Sequence, residues 1–169
     1  MDGILPLWKE KGMTSFDCVY KVRKILKTKK VGHSGTLDPE VDGVLPICIG
    51  KATKVVENLH ESNKVYQGEI TLGFSTETED AYGNVVSTTS IDTPFSVQEI
   101  DEKMQEFIGE ITQIPPMYSA VKVNGKRLYE YARAGEEVER PVRKAIIYDF
   151  IRISEPVYNG ETKTQSWKF

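Results

Sequence analysis

Cysteine and histidine are scarce in this sequence, with two of each among 169 residues. Cys18 and Cys48 are too few for a disulfide framework, and their spacing is not that of a zinc site. His33 and His60, with scattered acidic residues, form no convincing metal cluster. The sequence therefore predicts no bound metal and two reduced, packed thiols of the kind found in cytosolic proteins.

Long apolar runs are also missing, as are the short motifs of several enzyme classes. No segment approaches the length of a membrane span, and the first residues lack the basic stretch and apolar core of a secretory signal. These absences predict a cytoplasmic protein without membrane contact. Residues 50–53 faintly resemble a phosphate loop, but Leu45 stands where that loop needs a glycine. No G-x-S-x-G motif indicates a hydrolase.

The composition is that of an ordinary soluble domain, with 39% hydrophobic and 28% charged residues. The length suits a single domain over residues 1–169 with a substantial core. Strand-like and helix-like patterns are interleaved without regular βαβ spacing. This arrangement favours an α+β fold over a doubly wound parallel sheet.

A net charge of −3 conceals an uneven distribution of charge. Residues 21–30 carry six cations and no acid, whereas residues 69–110 carry ten acids and one lysine. Local patches govern phosphate binding, and net charge mainly governs solubility. The basic segment is therefore either a solvated helix face or a contact for nucleic acid, and we expect phosphate contacts there.

Hydrophobic periodicity and capping signals predict most of the secondary structure. Thr14 can cap the first helix, with Asp17 in its first turn, and Ser96 with Glu99 predicts a capping box at the start of the third. We expect helices at residues 15–28, 52–59, 97–108 and 128–134, and strands at residues 3–8, 66–74, 85–86 and 145–153, the last one buried. Val55, Val56 and Leu59 are expected to face inward. Asn124 and Gly125 indicate a hairpin turn, and Gly109 is expected to cap the third helix.

Residues 32–39, Gly-His-Ser-Gly-Thr-Leu-Asp-Pro, present one carboxylate in a glycine-rich segment that we expect to be a loop. Glycines permit close backbone approach, and Pro39 forces Asp38 into extended geometry. Such a loop can hold Asp38 outward in a fixed pose. Taken without the wider motif, the pattern favours an Asx turn or a helix cap. A pairing of Asp38 with Asp42 is weak evidence for glycosidase chemistry.

Residues 32–50 as a whole closely resemble the catalytic motif of the bacterial tRNA pseudouridine synthase B family. Further matches follow in family order, at Lys64-Val65-Tyr66 and at residues 113–122, 125–135 and 139–141. The resemblance implies the pseudouridine synthase fold, a mixed and mostly antiparallel sheet flanked by helices. It also implies that the chain is the N-terminal portion of the catalytic domain.

The family isomerises uridine to pseudouridine in the T loop of tRNA, at position 55, without a cofactor. The resemblance implies that Asp38 is the nucleophile acting on a flipped-out base. It leaves open whether Asp38 attacks the uracil ring or the sugar C1′. It implies that His33 enters the RNA loop and that Tyr66, by default a core strand residue, stacks on the target base. Contacts with the T arm are implied for Lys64, Lys122, Lys126, Arg127 and Arg133.

Two departures from the family pattern give rise to a second hypothesis. Glu10 replaces the proline of the family's K-P-x-G, and the sequence ends at Phe169. The family continues with a strand whose arginine pairs with the catalytic aspartate, and with a small RNA-binding domain of the PUA type. The chain is therefore either a synthase catalytic region, monomeric in its full-length form, or a non-catalytic RNA-binding or folding-helper fragment. We expect low activity from the chain alone.

Overall fold

The computed structural model describes residues 1–60 and 62–169, which form two compact units, Met1–Val65 and Tyr66–Phe169. Both units combine short helices with antiparallel strands, so the predicted α+β class is confirmed. In the described part of the chain, no helix is long and apolar enough to span a membrane.

The first unit is a three-stranded antiparallel sheet covered by one helix. Its strand order is β1-β3-β2, so the last strand in sequence is the central one. The elements are β1 (Gly3–Lys9), α1 (Ser15–Leu26), β2 (Val31–His33), β3 (Gly43–Ile49), a 3₁₀ segment (Gly50–Val55) and α2 (Val56–His60). The core lies between α1 and β3 and contains Cys18, Val19, Val22, Val31, Leu45, Ile47 and Ile49.

Helix α1 begins and faces inward as its sequence predicts. The Thr14 hydroxyl accepts a hydrogen bond from the Asp17 backbone, while the Asp17 carboxylate accepts from the Thr14 backbone. This capping box satisfies helix-end N–H groups, and the bond from the Thr14 hydroxyl is the main cause that lowers the pKa of Asp17. The helix ends at Leu26, slightly earlier than expected, because Lys27 adopts a left-handed conformation with φ of 49°.

The signature segment, residues 32–50, contains strand residues that were not predicted from the sequence. Its two ends are strands β2 and β3, and only residues 34–42 form a loop between them. Leu45, Ile47 and Ile49 alternate toward the core in β3. Pro46 concealed this pattern, because proline is normally confined to edge strands and bulges.

The predicted helix at residues 52–59 is split into the 3₁₀ segment and α2. Val56 and Leu59 are half-buried, as expected. Val55 is exposed, which contradicts the prediction that it faces inward. The change from 3₁₀ to α geometry rotates successive side chains by different angles, so one helical period does not describe the whole segment.

The second unit contains one three-stranded sheet, which we call the main sheet, and three two-stranded sheets. Its elements are β4 (Glu69–Leu72), β5 (Phe74–Thr76), β6 (Val85–Thr88), α3 (Val97–Gln105), β7 (Gly109–Gln113), β8 (Lys122–Val123), β9 (Lys126–Arg127), α4 (Leu128–Ala134), β10 (Arg143–Ile147), β11 (Val157–Asn159) and β12 (Thr164–Lys168). The main sheet has the order β11-β12-β4, and the pairs are β5-β6, β7-β10 and β8-β9.

Helix α3 supplies the core of the second unit. Its capping box between Ser96 and Glu99 is present as predicted, and Ile100 and Met104 pack with Trp167 of β12. The helix ends at Gln105, so the prediction that it continues to a cap at Gly109 is wrong. Its last turn tightens into i→i−3 hydrogen bonds, and Gly109 instead begins β7.

Strand β10 differs most from its prediction. We expected a buried strand over residues 145–153, but the strand covers Arg143–Ile147 and pairs with β7 alone among the described strands. Ile146, Tyr148, Ile151 and Ile153 are between 51% and 69% exposed. An apolar run predicts burial only where a neighbouring layer covers both faces, and no such layer covers this strand in the described residues.

We expect this exposed strand to make the chain self-associate, because an uncovered edge and an apolar patch both favour pairing with another copy. Ile146→Lys should shift the chain toward monomer in sedimentation velocity. Val65→Lys is the matched control, since Val65 is 95% exposed and lies in the other unit. A wild-type chain that sediments as a monomer at every concentration would contradict this expectation.

Candidate functional site

Asp38 lies in the signature loop, defined as residues 34–42 between β2 and β3. The loop is attached to the start of α1 through Ser15, a buried residue. The Ser15 hydroxyl accepts a hydrogen bond from the Leu37 N–H at 3.0 Å and donates to the Leu37 carbonyl at 3.1 Å. The Leu37 side chain packs against the core of the first unit. The residue immediately before Asp38 is therefore fixed by both its backbone and its side chain.

The loop is equally well held after Asp38. The Gly12 N–H donates to the Pro39 carbonyl at 2.7 Å, and the Lys9 ammonium donates to the Val41 carbonyl at 2.6 Å. The Val41 N–H in turn donates to the Asp38 carbonyl at 3.2 Å, which closes a turn. Backbone anchors at alternate residues thus surround the candidate nucleophile and fix the direction of its Cα–Cβ bond.

Lys9 is an unexpected member of this site, because it is fully buried. Besides Val41, its ammonium donates to the carbonyls of Glu10 at 3.0 Å and Met13 at 2.8 Å. No carboxylate forms an ion pair with it in the described part of the chain. A buried ammonium is tolerated only when its donors are satisfied, and here they are satisfied by carbonyls just after β1, just before α1 and in the signature loop.

Sequence reasoning noted Lys9 only as part of a departure from a family motif. A signal for its burial exists, because side chains two apart in a strand share a face. Leu7 precedes Lys9 by two residues in β1 and is one of the side chains packed against the core. The flanking Glu10 and Lys11 made the segment look solvated, so the strand period was the only available signal.

The Asp38 side chain itself is exposed. Within residues 1–60 and 62–169, its carboxylate neither accepts a hydrogen bond nor forms an ion pair. An Asx turn or a helix cap would require a bond from the carboxylate to a backbone N–H. Both structural alternatives are therefore excluded, and the carboxylate is free to meet a ligand.

His33 lies at the end of β2, where the signature loop begins. Its Nδ1 is hydrogen-bonded to the Gly35 carbonyl. Because a carbonyl can only accept, Nδ1 carries the proton in this contact, and Nε2 is left as the acceptor when the ring is neutral. The structure therefore places His33 and Asp38 at the two ends of one anchored segment of the first unit.

Tyr66 lies outside its predicted strand, and Lys64 has partners within the protein. Tyr66 is 71% exposed and precedes β4, so neither the strand position nor the default core location is correct. The Lys64 ammonium donates to the carbonyls of Leu59, His60 and Ser62, which terminates α2. A lysine at a helix C-terminus satisfies carbonyls that lack intrahelical donors, so the Lys64 ammonium already has protein partners.

The predicted phosphate contacts in the second unit lie on the β8-β9 hairpin and α4. The Arg127 and Arg133 guanidinium carbons lie 5.8 and 5.2 Å from the centre of the Tyr129 ring, and Arg127 donates to the Tyr129 hydroxyl at 3.1 Å. Neither guanidinium pairs with a carboxylate in the described part of the chain. Two unpaired guanidiniums at one ring form a candidate phosphate site, and sequence reasoning missed the role of Tyr129.

The two lysines of this hairpin, Lys122 and Lys126, differ in whether they are paired with a carboxylate. Lys126 pairs with Glu136 at 2.7 Å and lies 4.5 Å from the centre of the Tyr131 ring. Lys122 is exposed and has no ion-pair partner among the described residues. The hairpin turn follows its prediction, with φ of 52° at Asn124 and 82° at Gly125. The geometry therefore favours Lys122 over Lys126 as a free cation.

Comparison with known proteins decides the family. Residues 23–165 match the family model described as TruB family pseudouridylate synthase (N terminal domain). The chain belongs to this family. The match confirms the resemblance seen in the signature segment, and family membership also agrees with the predicted pseudouridine synthase fold.

Curated relatives that match all or most of this chain are named tRNA pseudouridine synthase B. A protein named tRNA pseudouridine synthase B from Latilactobacillus sakei is 62% identical over 169 residues, which are 100% of this chain and 55% of that protein. One from Listeria monocytogenes is 65% identical over 153 residues, 90% of this chain and 50% of that protein. The chain thus spans about half the length of these family members.

A solved structure supports the fold assignment. A chain in the crystal structure of a Cbf5-Nop10-Gar1 complex is 28% identical and superposes with a TM-score of 0.58. The match covers 98% of this chain and 38% of that chain. The α+β arrangement described here is therefore part of a larger fold in that relative.

Proposed function

We propose that the chain is the N-terminal catalytic part of a cytoplasmic tRNA pseudouridine synthase, monomeric as a full-length protein. It converts uridine to pseudouridine in the T loop of tRNA, at position 55. The observation that carries this proposal is the exposed, unpaired Asp38 carboxylate on a loop anchored at Leu37, Pro39 and Val41. Membership of the TruB family and the names of the curated relatives support it.

Asp38 is assigned the role of nucleophile. The reaction breaks the bond between C1′ and N1, turns the uracil, joins C1′ to C5, and moves a proton from C5 while N1 gains one. No electron is transferred, so a carboxylate that forms and releases a covalent bond is chemically sufficient. The anchored backbone supplies the orientation that a free side chain lacks, which is a large part of what an active site contributes.

His33 and Tyr66 are assigned to the flipped nucleotide. Tyr66 exposes 71% of its surface, and an exposed ring can stack on a uracil taken out of its own stack. His33 has its Nδ1 held by Gly35, so Nε2 can accept a hydrogen bond from the opened RNA loop. Both residues act in binding, whereas Asp38 acts in the bond changes.

The basic residues of the second unit are assigned to the T arm. Lys122, Arg127 and Arg133 have no carboxylate partner among the described residues and are the strongest candidates. Lys126 and Lys64 already have protein partners, so each would exchange an existing contact for a phosphate. We therefore assign them weaker contributions to tRNA affinity.

The decisive experiment is release of tritium from C5-labelled uridine in a tRNA transcript by the 169-residue chain. Stoichiometric release with pseudouridine at a single T-loop position supports the proposal. Tight tRNA binding without release supports the second candidate, a non-catalytic RNA-binding fragment. That candidate is favoured by one observation: the described residues place no cation in ion-pair contact with Asp38, and a neighbouring cation would keep the carboxylate ionised and oriented.

We expect the double variant Arg127→Gln, Arg133→Gln to weaken binding of every tRNA sequence and to lower the salt slope by about two units, one for each lost phosphate contact. Lys126→Gln should lower it by less, because Lys126 is paired with Glu136. Lys144→Gln is the control, since Lys144 pairs with Glu110. An unchanged slope for the arginine variant would assign both residues to plain surface.

A further inference from the structure

Helix α1 has an outward side that the proposed chemistry does not use. Its aromatic–basic face, defined as Phe16, Tyr20, Arg23, Lys24 and Lys27, contains four helical residues at the spacing i, i+4, i+7 and i+8, followed by Lys27 directly after the end of the helix. Residues so spaced lie along one side of a helix. The opposite side of α1 is buried in the core of the first unit. The face is therefore a continuous strip on the surface of that unit.

The strip combines open aromatic rings with cations placed over them. Phe16 is 60% exposed and Tyr20 is 50% exposed. The Arg23 guanidinium carbon lies 5.8 Å from the centre of the Phe16 ring, and the Lys24 ammonium lies 4.6 Å from the centre of the Tyr20 ring. Each pair gains cation–π attraction at a solvent-exposed site, which holds the charges near the rings.

The positive charge on this strip is not neutralised by the described protein. None of the cations at residues 21–30 forms an ion pair within residues 1–60 and 62–169. The only acid on α1 is Asp17, whose carboxylate is engaged by the N–H and hydroxyl of Thr14 in the helix cap. Charge complementarity therefore favours a polyanion as the binding partner of this face.

The structure favours nucleic acid over an anionic lipid surface. A helix that lies on a membrane inserts a broad apolar face between the lipid headgroups, but the apolar face of α1 already packs on β3. The strip from Phe16 to Lys27 is about 16 Å long. A strip of this length can contact several consecutive phosphates of one strand.

We propose that the aromatic–basic face of α1 binds a sugar–phosphate strand of tRNA outside the T arm, and so provides a second anchor for the substrate. This inference rests on the proposed function for the identity of the RNA. Lys24 and Lys27 contact phosphates, and Tyr20 offers its ring to a base or ribose. Arg23 is partly committed to the fold, because it donates to the Val31 carbonyl at 2.8 Å.

The test measures the salt dependence of tRNA binding in an Asp38→Asn background, so that no turnover intervenes. Lys24→Gln with Lys27→Gln should lower the slope for full-length tRNA by about two units. It should leave the slope for an isolated T-arm stem-loop unchanged. Tyr20→Leu keeps every charge, so it should keep the slope while weakening affinity about tenfold. Far-UV circular dichroism checks that each variant is folded.

The matched control is Lys103→Gln with Lys144→Gln, which removes the same charge from lysines paired with Glu106 and Glu110. It should leave the slope unchanged. An unchanged slope for the α1 lysine variant, unchanged affinity of Tyr20→Leu, or an equal loss on the stem-loop would overturn the proposal. Binding to phosphatidylglycerol vesicles that depends on Lys24 and Lys27 would also overturn it. Absence of turnover in the wild-type chain would contradict the proposed function and leave this binding result intact.

Discussion

Asp38→Asn is expected to bind tRNA as the wild-type chain does and to form no pseudouridine. Asparagine keeps the size of the side chain but removes the anion to which we assign the covalent bond. The loss should be on the order of 10⁴-fold or more, as for other removed nucleophiles. Binding should persist because the carboxylate makes no contact that holds the described structure together. Tritium release and a filter-binding titration measure the two quantities on the same preparation.

Asp42→Asn is the matched control for Asp38→Asn. It changes an exposed carboxylate at the end of the same signature loop to the same amide. It should keep most of the turnover, because Asp42 follows the last anchor of the loop, at Val41. Appreciable pseudouridine formation by Asp38→Asn, or an equal loss in Asp42→Asn, would contradict the assignment of Asp38 as nucleophile.

Local signals predicted the elements whose ends are determined by nearby residues. Thr14 with Asp17 and Ser96 with Glu99 marked the starts of α1 and α3, and both capping boxes form. Such caps lie within four residues of the groups that they satisfy, so the sequence contains the whole interaction. The same holds for the turn at Asn124, where the backbone conformation belongs to the turn residues themselves.

Elements that depend on distant partners were predicted less well. Strand β3 was missed because Pro46 argues against a central strand, and its place between β1 and β2 depends on pairings with residues far away in sequence. The extent of β10 was overestimated because its apolar residues do not reveal whether a covering layer exists. Both errors concern tertiary context, which overrides local preference in strands.

For the candidate site, the sequence proposed Asp38 and His33 through their motif, and family membership supports that motif. The sequence could not identify the hydrogen bonds that hold the signature loop in place. The bonds from Ser15, Gly12 and Lys9 to the signature loop join residues that are 22 to 32 positions apart. No local pattern records such contacts, because they exist only once α1 and β1 have been packed together.

Lys9→Met is expected to destabilise the first unit and to loosen the signature loop. Methionine fills a similar volume, but it leaves the carbonyls of Glu10, Met13 and Val41 without the donor that they have in the native structure. The loss of three charge-assisted hydrogen bonds to partly buried carbonyls should cost about 3 kcal/mol of unfolding free energy. Part of this cost is offset because the variant no longer buries an ammonium. A urea titration gives the change in midpoint, and amide hydrogen exchange reports on the loop itself.

Lys11→Met is the control, because Lys11 lies two residues along the chain but is exposed. Surface substitutions away from such contacts usually change stability by less than about 0.5 kcal/mol. In Lys9→Met, the amides of the signature loop should exchange faster than those of α1, since Val41 loses an anchor while the helix keeps its cap. Turnover should fall as well under conditions where the variant is folded, because Asp38 is aimed by the backbone that Lys9 holds. A variant with wild-type stability and unchanged exchange in this loop would show that the buried ammonium does not position Asp38.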